Sequence, residues 1–266
     1  MKLEIILEEI LNLSKEVGFY QLSKFRSLNL QKSSKSSEID LVTEVDQESE
    51  RLIVEKIKIL YPEHSILGEE GGSIDNNSEY RWVIDPLDGT INYASGIPVF
   101  AVSIALEYNG ESILGVVHLP YLEETFYSIK GKGSFMNGHR LNVGTKQNLV
   151  EAVIATGFPY DRASVGPDKN NINYFKHIMP KVRGVRRIGA AAYDLCLVAG
   201  GFLDGFWEMG LKPWDVSASR LIIEEAGGVI HHFREDRDIS ITAGNRTIAD
   251  KLLEEIDYVN SEALNL

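Results

Sequence analysis

The chain is nearly without cysteine, has no long apolar run and carries no basic stripe. Cys196 is the single cysteine among 266 residues. No internal disulfide framework can form, and the sequence suits a reducing compartment, so a cytoplasmic protein is expected. No stretch approaches the roughly 20 apolar residues that span a bilayer, so no membrane partner is expected. The opening segment Met1-Lys2-Leu3-Glu4-Ile5-Ile6-Leu7-Glu8-Glu9 is acidic and amphipathic, and lacks the basic start and apolar core of a secretory signal. Lys and Arg total 27 against 39 Asp and Glu, a net charge of -12. With no basic stripe to offset it, that charge argues against nucleic acid as a partner. Sequence repeats and low-complexity linkers are missing as well.

What is present is a folded chain, 44% hydrophobic and 25% charged, long enough for one large domain over 1–266 with two lobes, about 1–145 and 146–266. Leu3, Ile6, Leu7, Ile10, Leu11 and Leu13 mark an amphipathic first helix. Lys32 to Ser37 reads as a mobile polar loop. Thr43 and Asp46 have capping-box spacing and open a second helix with a stripe of Leu52, Ile53, Ile57 and Leu60, stopped by Pro62. Strands are expected at Ser65–Leu67, Tyr80–Ile84, Val99–Tyr108, Ser112–His118 and Glu124–Ile129, with a glycine-rich hairpin over 130–139. The second half alternates strand and helix: strands at Ala152–Thr156, Leu203–Glu208 and Val229–Phe233, helices at Ala190–Ala199, Asp215–Ala226 and Ile248–Tyr258. The first half reads as helices followed by antiparallel-looking strands, and the whole predicts stacked layers of helices and sheets, the two halves meeting at a cleft.

The segment Trp82-Val83-Ile84-Asp85-Pro86-Leu87-Asp88-Gly89-Thr90 sends three apolar residues into one carboxylate and places a second three positions later. Two hard oxygen ligands at the end of a buried strand select Mg²⁺, Mn²⁺ or Ca²⁺. Asp-Pro and Asp-Gly pairs also make ordinary turns. Two further acidic clusters lie at element edges: Glu69-Glu70 between Gly68 and Gly71-Gly72, and Asp215 after Lys212-Pro213-Trp214. Each has a plain alternative, a solvated turn for the glutamates and a helix-dipole partner for Asp215. Trp82, Trp207 and Trp214 all lie close to these acidic residues, where they could stiffen the backbone or simply fill core. Cys196 sits in the apolar run Leu195-Cys196-Leu197-Val198 and reads as core. The pair His231-His232 reads as structural, and Arg186-Arg187 as either a substrate contact near Gly189 or a solvated pair.

These segments together resemble the inositol monophosphatase family of magnesium-dependent, lithium-sensitive sugar-phosphate phosphatases. The first signature is Trp82 to Tyr93. The second is Trp214-Asp215-Val216-Ser217-Ala218-Ser219-Arg220 through Glu225-Ala226-Gly227-Gly228. Asp40 to Asp46, Gly68-Glu69-Glu70, Arg187-Ile188-Gly189-Ala190-Ala191-Ala192 and Trp207-Glu208 also match, so the likeness spans nearly the whole chain. It implies a layered αβαβα α+β fold, two sheets sandwiched by helix layers, and a homodimer.

Residue by residue, the resemblance assigns Glu69, Asp85, the Leu87 carbonyl, Asp88 and Asp215 to two or three Mg²⁺ ions. Asp46 and Thr90, with Glu69, would activate the attacking water. The Gly89 and Thr90 N–H groups would hold phosphate oxygens, and Asp88, Gly189, Ala190, Ala191, Glu208 and Asp215 would face the sugar. Glu70 would support the metal ligands from behind, and Lys35 matches a lysine of the family's mobile lid. The implied substrate is a small sugar or inositol phosphate. Inositol monophosphate stands first, then fructose 1,6-bisphosphate, then a 3'(2'),5'-bisphosphate nucleotide. A non-catalytic metal-dependent binding protein is the reading from another class. Alanines at 190–192, where relatives often carry a hydroxyl, leave few polar contacts for discrimination.

Overall fold

The computed structural model describes residues 2–27, 32–34, 41–166 and 169–263. In chain order the helices are α1 (Leu3–Lys24), α2 (Glu44–Leu60), α3 (Thr90–Ala94), α4 (Ile172–Ile178), α5 (Ala191–Ala199), α6 (Pro213–Glu225) and α7 (Arg246–Ala263). The strands are β1 (Lys32–Ser34), β2 (Leu41–Thr43), β3 (Ser65–Gly68), β4 (Gly72–Ile74), β5 (Tyr80–Asp88), β6 (Ala101–Tyr108), β7 (Glu111–Leu119), β8 (Glu124–Ile129), β9 (Gly133–Met136), β10 (His139–Arg140), β11 (Val153–Thr156), β12 (Gly184–Arg186), β13 (Gly205–Leu211), β14 (Val229–Arg234) and β15 (Ile239–Gly244).

Apolar alternation fixes the layers. In β5, Trp82 and Ile84 point to one side of the sheet and Val83 to the other; in β6, Val102, Ile104 and Leu106 oppose Ala101 and Ala105. With both faces apolar, the large sheet must be covered twice. Helices α1 and α2 cover the outer face, where Ile6, Ile10, Val17, Ile53 and Ile57 meet Trp82 and Ile104. Helices α5 and α6 cover the inner face and also touch the second sheet. The far side of that sheet carries α7, which packs on α4, through Trp207, Met209, Ile248 and Leu252. The result is the expected αβαβα stack.

The large sheet runs β10-β9-β8-β7-β6-β5-β3-β4, and the small one β12-β11-β13-β15-β14. Neither is purely antiparallel: β3 lies parallel to β5, and β11 is parallel to both β12 and β13. The strand expected to stop at Ile84 continues to Asp88, with a register shift between Asp85 and Asp88 opposite Ser103 and Ala101. Such a bulge tolerates Pro86 inside a strand. Lys32–Ser34, expected as loop, pairs with Leu41–Thr43 as a two-stranded ribbon. Strand β15 and helices α3 and α4 have no counterpart in the sequence reading. No helix among the described residues is long and apolar enough to cross a membrane.

Candidate active site

The β5 bulge lies at the core of the site. Its Leu87 side chain is buried against Val45, Tyr93 and Phe100, which anchors the turn from beneath. The Asp85 carboxylate accepts the Leu87 N–H (3.0 Å). Asp88 accepts two backbone bonds from the start of α5, Ala191 N–H at 3.1 Å and Ala192 N–H at 2.8 Å. Residues about a hundred positions apart are thus joined directly. Gly89 has φ +94°, and a Cβ there would stand 3.0 Å from the Val99 carbonyl oxygen and 3.3 Å from the Ala190 side chain. Only glycine permits both that backbone and that approach. Asn92 closes the junction by donating to the carbonyls of Val99 (3.0 Å) and Ile188 (2.9 Å).

Helix α2 supplies Asp46, and the capping box expected from the Thr43–Asp46 spacing forms. Asp46 Oδ2 accepts the Thr43 N–H at 2.9 Å and the Thr43 hydroxyl at 2.5 Å, capping the helix. Its Oδ1 accepts the Thr90 hydroxyl at 2.8 Å, so the two residues the resemblance pairs are in contact. One turn further along α2, buried Glu50 takes the Glu70 N–H at 2.8 Å and the Gly71 N–H at 2.5 Å. A Cβ on Gly68 or Gly71 would lie 2.6 Å from that carboxylate. The glycines flanking Glu69-Glu70 therefore make room for Glu50, which shapes the turn that carries Glu69. The sequence reading missed Glu50. Its clue is the helical spacing from Asp46, which puts both carboxylates on one face. Glu70 itself lines a separate groove with Glu50, Gln47 and Arg51. Lys35 lies outside the described residues.

Glu69, Asp88, Gly189, Ala190, Ala191, Glu208 and Asp215 line one cavity of about 530 Å³. Glu208 comes from β13 and packs so closely on Gly157 that a Cβ at 157 would meet its Oε1 at 2.0 Å. Asp215 occupies the first turn of α6, where its Oδ2 accepts the Lys212 N–H at 2.8 Å. Of the basic residues expected near the substrate, Arg187 lines the cavity and Arg186 does not. Asp194 from α5 lines it too, and was not singled out from sequence, although it is the one charged residue in the run Ala190–Ala199. Two of the three tryptophans are fully buried core, so the rigid-backbone role is unneeded to explain them.

The carboxyls crowd one another. Burial pushes Asp85 well above the usual carboxylate range, and Glu69, Asp88 and Asp215 push it further. Burial lifts Asp88 to about 7, against the pull of the Ala192 and Ala191 N–H groups. Asp215 is raised by burial and then by Glu69, with the Lys212 N–H opposing. Glu208 is raised to about 8 by burial, Arg187 opposing and Asp88 assisting. Such an all-oxygen, mutually repelling set fits a hard divalent cation, whose charge would relieve the repulsion. Among the described residues no group of three acidic, histidine or cysteine side chains is closed around one point. The fit therefore rests on donor chemistry and on this crowding. Cys196 is buried, and burial raises its thiol well above the ordinary value, so it offers no nucleophile.

Comparisons with known proteins agree with this fold. The sequence model of the inositol monophosphatase family matches residues 3–261. A fructose-1,6-bisphosphatase/inositol-1-monophosphatase from Aquifex aeolicus is 42% identical over 231 residues, 86% of this chain and 87% of that protein. A protein named Nus factor SuhB from Pseudomonas aeruginosa is 42% identical over 224 residues, covering 82% and 83% of the two chains. The solved inositol monophosphatase of Anabaena (Nostoc) superposes with a TM-score of 0.86 at 34% identity, covering 97% of each chain. The chain belongs to the inositol monophosphatase family, and with it to the phosphoric monoester hydrolases.

Proposed function

We propose that the protein hydrolyses a phosphate monoester with Mg²⁺ by direct attack of water, and that its substrate is a myo-inositol monophosphate, released as inositol and phosphate. The observation that carries this reading is the convergence of Glu69, Asp88, Glu208 and Asp215 on one cavity, with the bonded Asp46–Thr90 pair joined to the same β5 turn. Uncatalysed phosphate monoesters are so inert that the site must supply on the order of 20 kcal/mol. Bound Mg²⁺ would acidify a water and offset charge on the ester oxygens. Glu69, Asp85, Asp88, Asp215 and the Leu87 carbonyl would hold it.

The rest falls to the chain itself. The Thr90 hydroxyl donates a hydrogen bond to Asp46 Oδ1, which leaves the lone pairs on its own oxygen to accept a hydrogen bond from the attacking water. Asp46 is fully buried and held by Thr43, so it stays aligned as the proton acceptor behind Thr90. The backbone N–H groups of Gly89 and Thr90 would take phosphate oxygens. Glu208 and the 189–191 backbone would take ring hydroxyls.

A second substrate has a specific observation in its favour. Arg187 lines the cavity and has no hydrogen bond or ion pair among the described residues, whereas Lys212 is bound to Asp238 and Arg237 to Asp161. A free guanidinium there offers a seat for a second phosphate, as in fructose 1,6-bisphosphate. The test is phosphate release by purified protein, with and without Mg²⁺. The panel is inositol 1-phosphate, 2-glycerophosphate, fructose 1,6-bisphosphate and 3'-phosphoadenosine 5'-phosphate. Mg²⁺-dependent release with the highest kcat/KM on inositol 1-phosphate is expected, together with inhibition by millimolar Li⁺. A folded, Mg²⁺-binding protein that releases phosphate from none of them would overturn the proposal in favour of a binding protein.

A further inference from the structure

The cavity contains a buried acid that neither the family likeness nor the steps above employ. Asp194 sits in the first turn of α5, in an otherwise apolar helix, and is only 2% exposed. Its backbone N–H makes the ordinary helical bond to the Ala190 carbonyl. Among the described residues its buried Oδ1 has no hydrogen-bond partner and its side chain makes no ion pair. The neighbouring charges are Glu208 and Asp88, both negative, and Arg187, positive; burial is the main influence, raising its carboxyl well above the usual range.

A buried carboxyl with no partner is costly, because it has given up water for nothing. Among the described residues no hydrogen bond or ion pair compensates the Asp194 side chain, yet it lines the same cavity as Glu208 and Gly189 to Ala191. The wall formed by 189–191 has no polar side chain, so side-chain hydrogen bonds to a ligand there fall to the acidic residues of the cavity, Asp194 among them. An anionic ligand group would be repelled by Asp88 and Glu208. A hydroxyl suits the position, because it can donate to a carboxylate or accept from a carboxylic acid.

We propose that Asp194 is a specificity-determining residue, hydrogen-bonding a ring hydroxyl of a cyclic polyol carried by the phosphate ester. The assignment rests on the phosphomonoesterase reading of this cavity. It also explains how a wall of alanines could still select a polyol.

The test compares wild type, Asp194→Asn and Asp194→Leu with saturating Mg²⁺ on inositol 1-phosphate and on p-nitrophenyl phosphate, an ester without hydroxyl groups. The ratio of kcat/KM between the two esters should fall at least ~10-fold in Asp194→Leu, through KM for inositol 1-phosphate rather than kcat. Asp194→Asn, whose amide can both donate and accept, should recover most of the ratio. Tm of Asp194→Leu should equal or exceed that of wild type, because an unpartnered polar group is replaced by an apolar one. An unchanged ratio, or a lowered Tm with equal losses on both esters, would overturn the proposal and make Asp194 a structural residue. Saturation-transfer NMR with myo-inositol reads the same contact without turnover. If wild type cleaves neither ester, the hydrolase reading fails. The myo-inositol signal then decides on Asp194 separately: its loss in Asp194→Leu supports the contact, and its persistence refutes it.

Discussion

Replacing Glu50 by glutamine tests whether the turn that carries Glu69 is built by a side chain outside the cavity. Glu50 is 4% exposed, and its two oxygens accept the N–H groups of Glu70 and Gly71. Glutamine keeps one acceptor and turns an NH₂ toward the other N–H. The loss is one charge-assisted bond plus one buried donor left without a partner, together about 2–4 kcal/mol. For a chain of this size that corresponds to a fall in Tm of roughly 5–15 °C. If about 1.4 kcal/mol of it is strain transferred to Glu69, half-saturation by Mg²⁺ should rise about tenfold. Differential scanning calorimetry and a Mg²⁺ titration by isothermal calorimetry read the two quantities. A steric counterpart sharpens the test. A Cβ at Gly71 would stand 2.6 Å from Glu50 Oε1, so Gly71→Ala should destabilise wild type by ~1–3 kcal/mol and cost much less in a Glu50→Ala background. Strict additivity of those two substitutions, or a Glu50→Gln protein with unchanged Tm and Mg²⁺ response, would refute the reasoning.

Asp88→Asn should lower kcat/KM at least ~10²-fold, since it removes a charged ligand and turns an amide against the Ala191 or Ala192 N–H; near-normal turnover at saturating Mg²⁺ sinks the role given to Asp88. Glu208 titrates at about 8 in the folded chain, while an unfolded glutamate titrates near ~4.3. The folded state therefore holds the extra proton between those values, and the protein kept in EDTA should lose stability as pH rises through that window. Glu208→Gln should flatten the fall of Tm between pH 4.5 and 8.5, and an unaltered slope would contradict the assignment. Gly157→Ala pushes a methyl against Glu208 Oε1 at 2.0 Å, so KM for a polyol phosphate should rise ~10-fold or more with the fold intact by circular dichroism; an unchanged KM would show that Glu208 is free to move.

Much of this architecture was legible because its signals are periodic. The stripe of α2 and the alternation of β5 and β6 follow from which faces must be buried. What escaped depended on tertiary context. Strand β15 is a six-residue run after the charged segment Arg234 to Asp238, and its partners β13 and β14 supply the pairing that makes it a strand. The strand expected over Tyr80–Ile84 stops short of Pro86, yet the bulge lets β5 run on to Asp88. The residues proposed for the site were readable as a family pattern, whereas the two unnoticed acids lie outside every signature. Glu50 acts through backbone N–H groups, which leave no trace in residue type. Asp194 shows only as a charge where helix α5 is otherwise apolar.

The cavity draws its two walls from different sheets. Glu69 and Asp88 are fixed by the end of the large sheet, while Glu208, Gly157 and Arg187 come from strands of the small sheet or the residues directly after them. Asp194 on α5 and Asp215 on α6 come from the helix layer that touches both sheets. On the proposed roles, substitutions in the small sheet would retune which alcohol is accepted while leaving the large-sheet carboxylates in place. A lineage built this way can change its diet while keeping its teeth, and a designer seeking a new leaving group need randomise only the second wall.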